Sequence, residues 1–272
     1  MNIMRVEAKQ GPVEAEATDA LVLLFCEGEG LPKEDGALLD RALGGALRDL
    51  LQSKEFEGKA NEVVVFHTHR RIPSKRLILV GLGKKHELNL DQIRQAMGHA
   101  AKRVRHAKCG AFTVVLPSVV PNEISLTDMG QTLAEGAILG SYQFTTYRSD
   151  APLGKEVKTM TILAAQKDQL RQLSEGIRRG VATAEATVFV RDLCNHPSNV
   201  MTPSRIALEA KAVAKEAGVH LKILERKQME KLGMGALLGV AKGSHEPPKF
   251  IILQYQGAKK REDRPIVLVG KT

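Results

Sequence analysis

The sequence predicts an α/β protein in two parts. A three-layer N-terminal α/β domain spans residues 1–165, a linker helix spans 166–194, and the start of a second α/β domain with a mixed central sheet spans 195–272. Three observations carry this. Short apolar runs alternate with amphipathic stretches from end to end, the pattern of layered α/β folds. A polar loop with Pro and Gly, Thr145–Thr159, closes the first series. One long helical period follows it and leads into a second, shorter series.

The elements follow in order. "DALVLLF" (19–25) is too short for an independent helix and suits a buried strand. "GALLDRALGGALRDLLQ" repeats Leu38, Leu39, Ala42, Leu43, Ala46, Leu47 and Leu50 at helical spacing, which predicts one helix. "EVVVFHT" and "RLILVGLG" read as strands. Leu90, Ile93, Met97, Ala100, Ala101 and Val104 define an amphipathic helix from Leu90 to His106. "AFTVVLP" is a strand ended by Pro117, "DMGQTLAEGAILGSY" a helix, and "MTILAA" a strand. Leu170, Leu173, Ile177, Val181, Ala184 and Val188 then set the long helix, ending near Cys194. In the second series Thr202 is a natural N-cap, Pro203 takes the first helical position and Gly218 stops the helix. "VHLKILE" is a strand, and a short helix with a Gly- and Pro-rich loop follows. "KFIILQYQG" and "RPIVLVG" are two further strands, the last buried on both faces.

Composition bounds the class. With 43% hydrophobic and 26% charged residues, 272 residues are enough for a packed, water-soluble core. Aromatics are 4%, so that core is aliphatic. No run reaches the ~18–20 apolar residues of a membrane helix, and the acids of the N-terminal stretch argue against a secretory signal. Cys26, Cys109 and Cys194 have no metal-like spacing, and a reduced, cytoplasmic compartment fits them. From His67 to Lys108 stand eleven lysines and arginines against Glu87 and Asp91, and this window alone accounts for the net charge of +9. Its bland reading is a solvated basic face. The alternative is a nucleic-acid patch, with Arg70, Arg71, Lys102 and Arg105 as its candidate contacts to DNA.

Motifs are mostly negative. Gly270-Lys271-Thr272 after an apolar run resembles a P-loop, but the first glycine of that motif falls on Pro265. Gly81 and Gly83 form a lone G-x-G, read as a plain strand-end turn. His67 and His69 share one side of a strand without a third ligand, and are read as surface histidines. Cys194 is read as a buried small residue. His245 and Glu246 lie in what reads as a structural loop. Lys271 ends a strand where ligands collect in α/β sheets, although spacing alone favours an ordinary strand-end lysine.

"DLCNHPSNVMTPSRIALEA", "LGMGALLGVAKGSHEPPKFIILQYQG" and "PIVLVGK" occur in this order, and together they resemble the leucyl (cytosol) aminopeptidases, a family of two-metal exopeptidases. The resemblance implies that 195–272 opens a metallopeptidase catalytic domain, with 1–165 matching that family's N-terminal domain by position and element order only. It implies removal of N-terminal residues from peptide substrates, with leucine-type preference, by a water activated between two divalent ions, Mn²⁺ or Zn²⁺. It also implies a cytoplasmic homo-hexamer that makes no use of a membrane. The lysine of the family's Val-Gly-Lys maps onto Lys271 as a metal ligand. The family continues beyond that motif with further acidic ligands, whereas Thr272 is the last residue here. The expectation is therefore an incomplete catalytic domain with no catalytic residue of its own, inactive as a 272-residue chain.

Overall fold

A computed structural model describes residues 4–32, 35–117, 124–150, 154–258 and 264–271. The chain divides into two compact units, Met1–Val190 and Arg191–Thr272.

The first unit is built on a six-stranded sheet. Its strands are β1 (Arg5–Gln10), β2 (Ala20–Cys26), β3 (Val63–His67), β4 (Arg76–Gly83), β5 (Ala111–Val115) and β6 (Thr159–Ala164). They lie in the order β1-β6-β5-β2-β4-β3, parallel throughout except for β3, which runs antiparallel to β4. The sheet is therefore mixed, with helices on both faces.

Strand β2 shows how the sequence sets this up. Every residue of β2 is buried, and side chains alternate between faces with period 2. Val22 and Leu24 enter one core with Ile78 and Val80 of β4. Leu21, Leu23 and Phe25 enter the other with Leu77 and Leu79. A continuous apolar run is what a strand covered on both sides requires.

Helices α3 (Leu90–His106), α4 (Leu126–Ser141) and α5 (Gln169–Asn195) contribute to the first core. Asn89 and Gln92 form a reciprocal capping box that starts α3, and Ser125 caps α4. The helices meet through glycines. A Cβ at Gly140 would lie 2.5 Å from the Cα of Gly98, and one at Gly176 would overlap the carbonyl oxygen of Thr127. The close approach of α3 to α4, and of α4 to α5, depends on these bare backbones.

The opposite face is covered by two helices where the periodicity predicts one, α1 (Asp35–Ala42) and α2 (Ala46–Gln52). Gly44 and Gly45 break the run, with φ of 72° and 89°, a region that favours glycine. Asp40, 3% exposed, turns its carboxylate onto the start of α2, where it accepts from the backbone N–H of Leu47 (3.1 Å) and Arg48 (3.0 Å). Asp40→Ala is expected to lower stability by about 1–2 kcal/mol through loss of this cap. Asp40→Asn, which keeps the acceptor, recovers most of that loss in urea unfolding followed by circular dichroism.

Strand β1 is not evident from the sequence pattern. Four of the six residues of "RVEAKQ" are polar because β1 is an edge strand, paired to β6 alone.

In the second unit α6 (Pro203–Ala217) starts where predicted, with Thr202 Oγ1 accepting from Arg205 N–H and Gly218 closing it at φ 64°. Strands β7 (His220–Leu224) and β8 (Phe250–Gln254) pair antiparallel, separated in sequence by α7 (Arg226–Lys231) and α8 (Gly235–Ala241). Lys249 ties β8 to the start of α7 through both carboxylate oxygens of Glu225, at 2.7 and 2.6 Å. The strand expected at "RPIVLVG" is not formed. Residues 264–271 have no assigned strand, and Ile266, Leu268 and Val269 are each 93% exposed. An apolar run becomes a buried strand only with a hydrogen-bonded neighbour and covering side chains, and among the described residues this one has neither.

Candidate functional site

The segments that carry the family likeness have visible local roles. In "NHPSNVMTP" a turn closes over Pro197, whose carbonyl accepts from Val200 (2.9 Å) and Met201 (3.0 Å) N–H, before Thr202 caps α6. In "EKLGMGALLG" Gly233 takes φ 68° between α7 and α8, and Met229 of α7 is fully buried. These residues shape backbone. The chemistry-bearing groups are more dispersed.

Lys271 stands exposed at the end of the 264–271 segment. Among the described residues no group of three or more His, Cys, Asp or Glu comes together to hold a metal ion. A divalent ion at a protein site draws several oxygen, imidazole or thiolate donors, so these residues by themselves do not fit a two-metal centre. His245 and Glu246 lie exposed in the loop before β8. Cys194, expected to be buried, is exposed. The apolar period of α5 and its buried positions both end at Val188, more than a turn before Cys194.

The G-x-G also resolves as backbone packing. A Cβ at Gly81 would collide with the Gly58–Lys59 backbone, and Gly81 N–H donates to the Glu62 carbonyl at 2.8 Å. The glycine admits the incoming chain rather than a phosphate. His67 and His69 are exposed, with ring centroids 6.5 Å apart.

The basic window separates into two groups. Lys84, Lys85 and Arg94 are ion-paired, to Glu87 (3.6 Å), Glu29 (3.1 Å), and Glu135 (2.7 Å) with Asp91 (3.0 Å) respectively. Arg70 and Lys102 are exposed. Arg71 is exposed but donates through Nη1 to the Leu43 carbonyl at 2.6 Å. Arg105 is half-buried and donates through Nη1 to the Ser141 carbonyl at 3.2 Å; burial pushes its pKa down from the ordinary arginine value. Arg105 is thus a structural residue. Of the four candidates, only Arg70 and Lys102 present a head to solvent that is unengaged among the described residues.

Residues 21–151 match the model described as "Cytosol aminopeptidase family, N-terminal domain", and residues 188–272 match "Cytosol aminopeptidase family, catalytic domain". This chain belongs to the cytosol aminopeptidase family. Among curated members, the probable cytosol aminopeptidase of Geobacter sp. (strain M21) is 39% identical, over 98% of this chain and 53% of its own length. That of Geotalea uraniireducens (strain Rf4) is 40% identical, over 86% of this chain and 46% of its own. A solved mutant of tomato leucine aminopeptidase is 25% identical with a TM-score of 0.82, covering 95% of this chain and 52% of that one. The bottromycin maturation enzyme BotP, solved in complex with Mn, shares the fold at 23% identity and a TM-score of 0.69, over 88% of this chain and 46% of its own. The chain spans about half the length of the curated cytosol aminopeptidases it matches. Among the described residues, no helix is long and apolar enough to cross a membrane.

Proposed function

We propose that this family member serves a metal-dependent aminopeptidase that removes N-terminal residues, with leucine-type preference, from peptides. The observation that carries the reading is the joint match of both family domains, in order, on one chain. The metal dependence, the pair of ions (Mn²⁺ or Zn²⁺) and the leucine preference follow from the resemblance of the Asn-His-Pro-Ser-Asn and Val-Gly-Lys segments. Lys271 is the one residue of the 264–271 segment that the resemblance makes a metal ligand. Among the described residues no three His, Cys, Asp or Glu come together to hold a metal ion, so no step of the hydrolysis is assigned to this chain's residues. A cytoplasmic, hexameric protein is the accompanying expectation, its assembly read out by light scattering.

The test uses the protein as its source makes it, with its intact mass recorded. Metal-dependent turnover of leucine p-nitroanilide is expected, abolished by chelation. Lys271→Met is expected to lower turnover by at least ~100-fold and to weaken metal binding by ~10-fold or more, as loss of a metal ligand does. Turnover that ignores chelator, or that survives in Lys271→Met with unchanged metal affinity, removes the lysine from the site.

A further inference from the structure

A cleft of about 690 Å³ opens where β2 ends, between the loop that follows that strand and the segment running from α2 to β3. In parallel α/β sheets this carboxyl end is where ligands collect, and the volume suits a small molecule. Backbone contacts pin the walls. Glu27 N–H donates to the Gly83 carbonyl at 2.9 Å, and Gly28 N–H to the Glu57 carbonyl at 3.3 Å. A Cβ at Gly58 would lie 2.8 Å from the Cys26 carbonyl oxygen, so this segment runs hard against the end of β2. The cleft is thus shaped by the main chain rather than by side chains free to swing.

The lining sorts into an apolar floor and a charged rim. Phe56, 1% exposed, makes the floor with the half-buried Leu31 and Leu51. Its ring is committed edge-on to Phe25, with centroids 5.4 Å apart. Three groups of the rim are engaged: Glu29 with Lys85 at 3.1 Å, Arg48 with Asp40 at 3.3 Å, and Glu57 with Lys59. Two are not. The heads of Glu27, half-buried, and Lys54, exposed, have no hydrogen bond or ion pair among the described residues. Each feels a neighbour's charge, Lys59 and Glu57 respectively, but those two are bound to one another. A half-buried carboxylate left this way keeps acceptor capacity that a cationic donor can fill.

We infer that this cleft binds a small zwitterion with an apolar side chain, the chemistry of a free aliphatic α-amino acid. Glu27 takes the ammonium, Lys54 the carboxylate, and Leu31, Leu51 and Phe56 the side chain. Other occupants fit less well. A phosphate-bearing ligand meets three carboxylates, those of Glu27, Glu29 and Glu57, against the two cations Arg48 and Lys54. A bare metal ion is disfavoured because these glutamates do not come together as a donor group. A nucleobase finds no free aromatic face, since Phe56 is covered. The ammonium counts for more than the carboxylate, because Glu27 is half-buried whereas Lys54 is solvated. The inference stands apart from the proposed activity, since every residue of the cleft belongs to the first unit. The leucine that such an activity releases has this chemistry.

The test is isothermal titration calorimetry of the 272-residue chain with L-leucine, in excess EDTA so that no metal site contributes. Saturable binding with a Kd on the order of 0.1–1 mM is expected, within what about nine heavy atoms can supply. Glycine, which lacks the side chain, and 4-methylpentanoate, which lacks the amine, are each expected to bind at least ~10-fold more weakly. Leucinamide, which lacks the carboxylate, is expected to lose only about threefold. Glu27→Gln is expected to weaken leucine at least ~10-fold and to abolish its preference over 4-methylpentanoate. Lys54→Gln is expected to cost about threefold and to abolish the preference over leucinamide. Glu29→Gln, whose carboxylate is already paired, is expected to change affinity less than about twofold. Circular dichroism verifies that the variants fold, and the ligand series on the parent chain decides without them. The inference is overturned by absence of saturable binding below about 10 mM. It is overturned too if glycine or 4-methylpentanoate binds as well as leucine, or if Glu27→Gln leaves leucine affinity unchanged. None of these outcomes bears on peptide hydrolysis, which the metal-dependent turnover assay reads, so the two readings fail separately.

Discussion

Gly140→Ala is expected to destabilise the first unit by about 2–3 kcal/mol, although the same exchange in an open helix interior stabilises by up to ~1 kcal/mol. The sign is decided by space. A methyl group at 140 meets both the Cα and the carbonyl oxygen of Gly98 at 2.5 Å, and neither is the end of a flexible side chain that can swing aside. Helices α3 and α4 must separate along their shared face, which loosens Met97 and Leu133 in the core they both enter. Gly176→Ala is expected to behave alike where α4 meets α5, since backbone again stands in the way. Gly239 in α8 is the control: a Cβ there meets nothing within 4 Å, so Gly239→Ala is expected to be neutral or mildly stabilising. Urea unfolding of the three variants reads the difference. A Gly140→Ala protein as stable as the parent would mean that the α3–α4 approach is not set by these glycines.

Glu135→Ala is expected to cost about 2–3 kcal/mol, less than the ~3–5 of a fully buried ion pair because Arg94 keeps 31% exposure. Glu135 Oε2 accepts from Arg94 Nε at 2.7 Å, and Oε1 accepts from Gln131 Nε2 at 2.8 Å and Thr183 Oγ1 at 2.9 Å. One carboxylate thus links α3, α4 and α5, and its removal takes the acceptor from Arg94 Nε and Gln131 Nε2, while the Thr183 hydroxyl still reaches the Arg179 carbonyl at 2.8 Å. The effect carries a pH signature. Burial raises the Glu135 pKa, but the hydrogen bonds from Gln131, Arg94 and Thr183 outweigh it and hold the carboxyl below the ordinary glutamate value. A folded-state pKa lower than the unfolded one, about 4.3, contributes stability that is complete above that pH and is lost as pH falls through the folded value. The parent and Glu135→Gln curves are therefore expected to differ fully at pH 7 and to converge below about pH 4. Parallel curves across that range would show that the network does not favour the ionised form.

The site is legible in one sense and illegible in another. Three segments in the right order are enough to name the family, because turn, cap and strand-end chemistry is written in short stretches such as Asn195–Pro203. The donor set of a metal centre is not written that way. It is assembled from distant chain segments, and Lys271 alone shows how little one matching position says about the rest.

Features governed by local forces can be read along the chain. Helix α3 begins at Leu90 and ends at His106 as its periodicity and the Asn89–Gln92 box require, and α6 obeys Thr202, Pro203 and Gly218. β2 and β4 declare burial on both faces by running apolar without a break. Other features depend on neighbours that the fold brings in. β1 is a strand although four of its six residues are polar, because β6 supplies its hydrogen bonds. Residues 266–269 are apolar yet exposed, since no described strand lies beside them. Cys194 faces solvent because the buried positions of α5 end before it. The basic window divides into paired cations, Lys84, Lys85 and Arg94, and open ones, Arg70 and Lys102, according to what the fold places beside each. Propensity and capping act over a few residues and so are written in order; burial, pairing and summed charge are properties of what the fold places side by side.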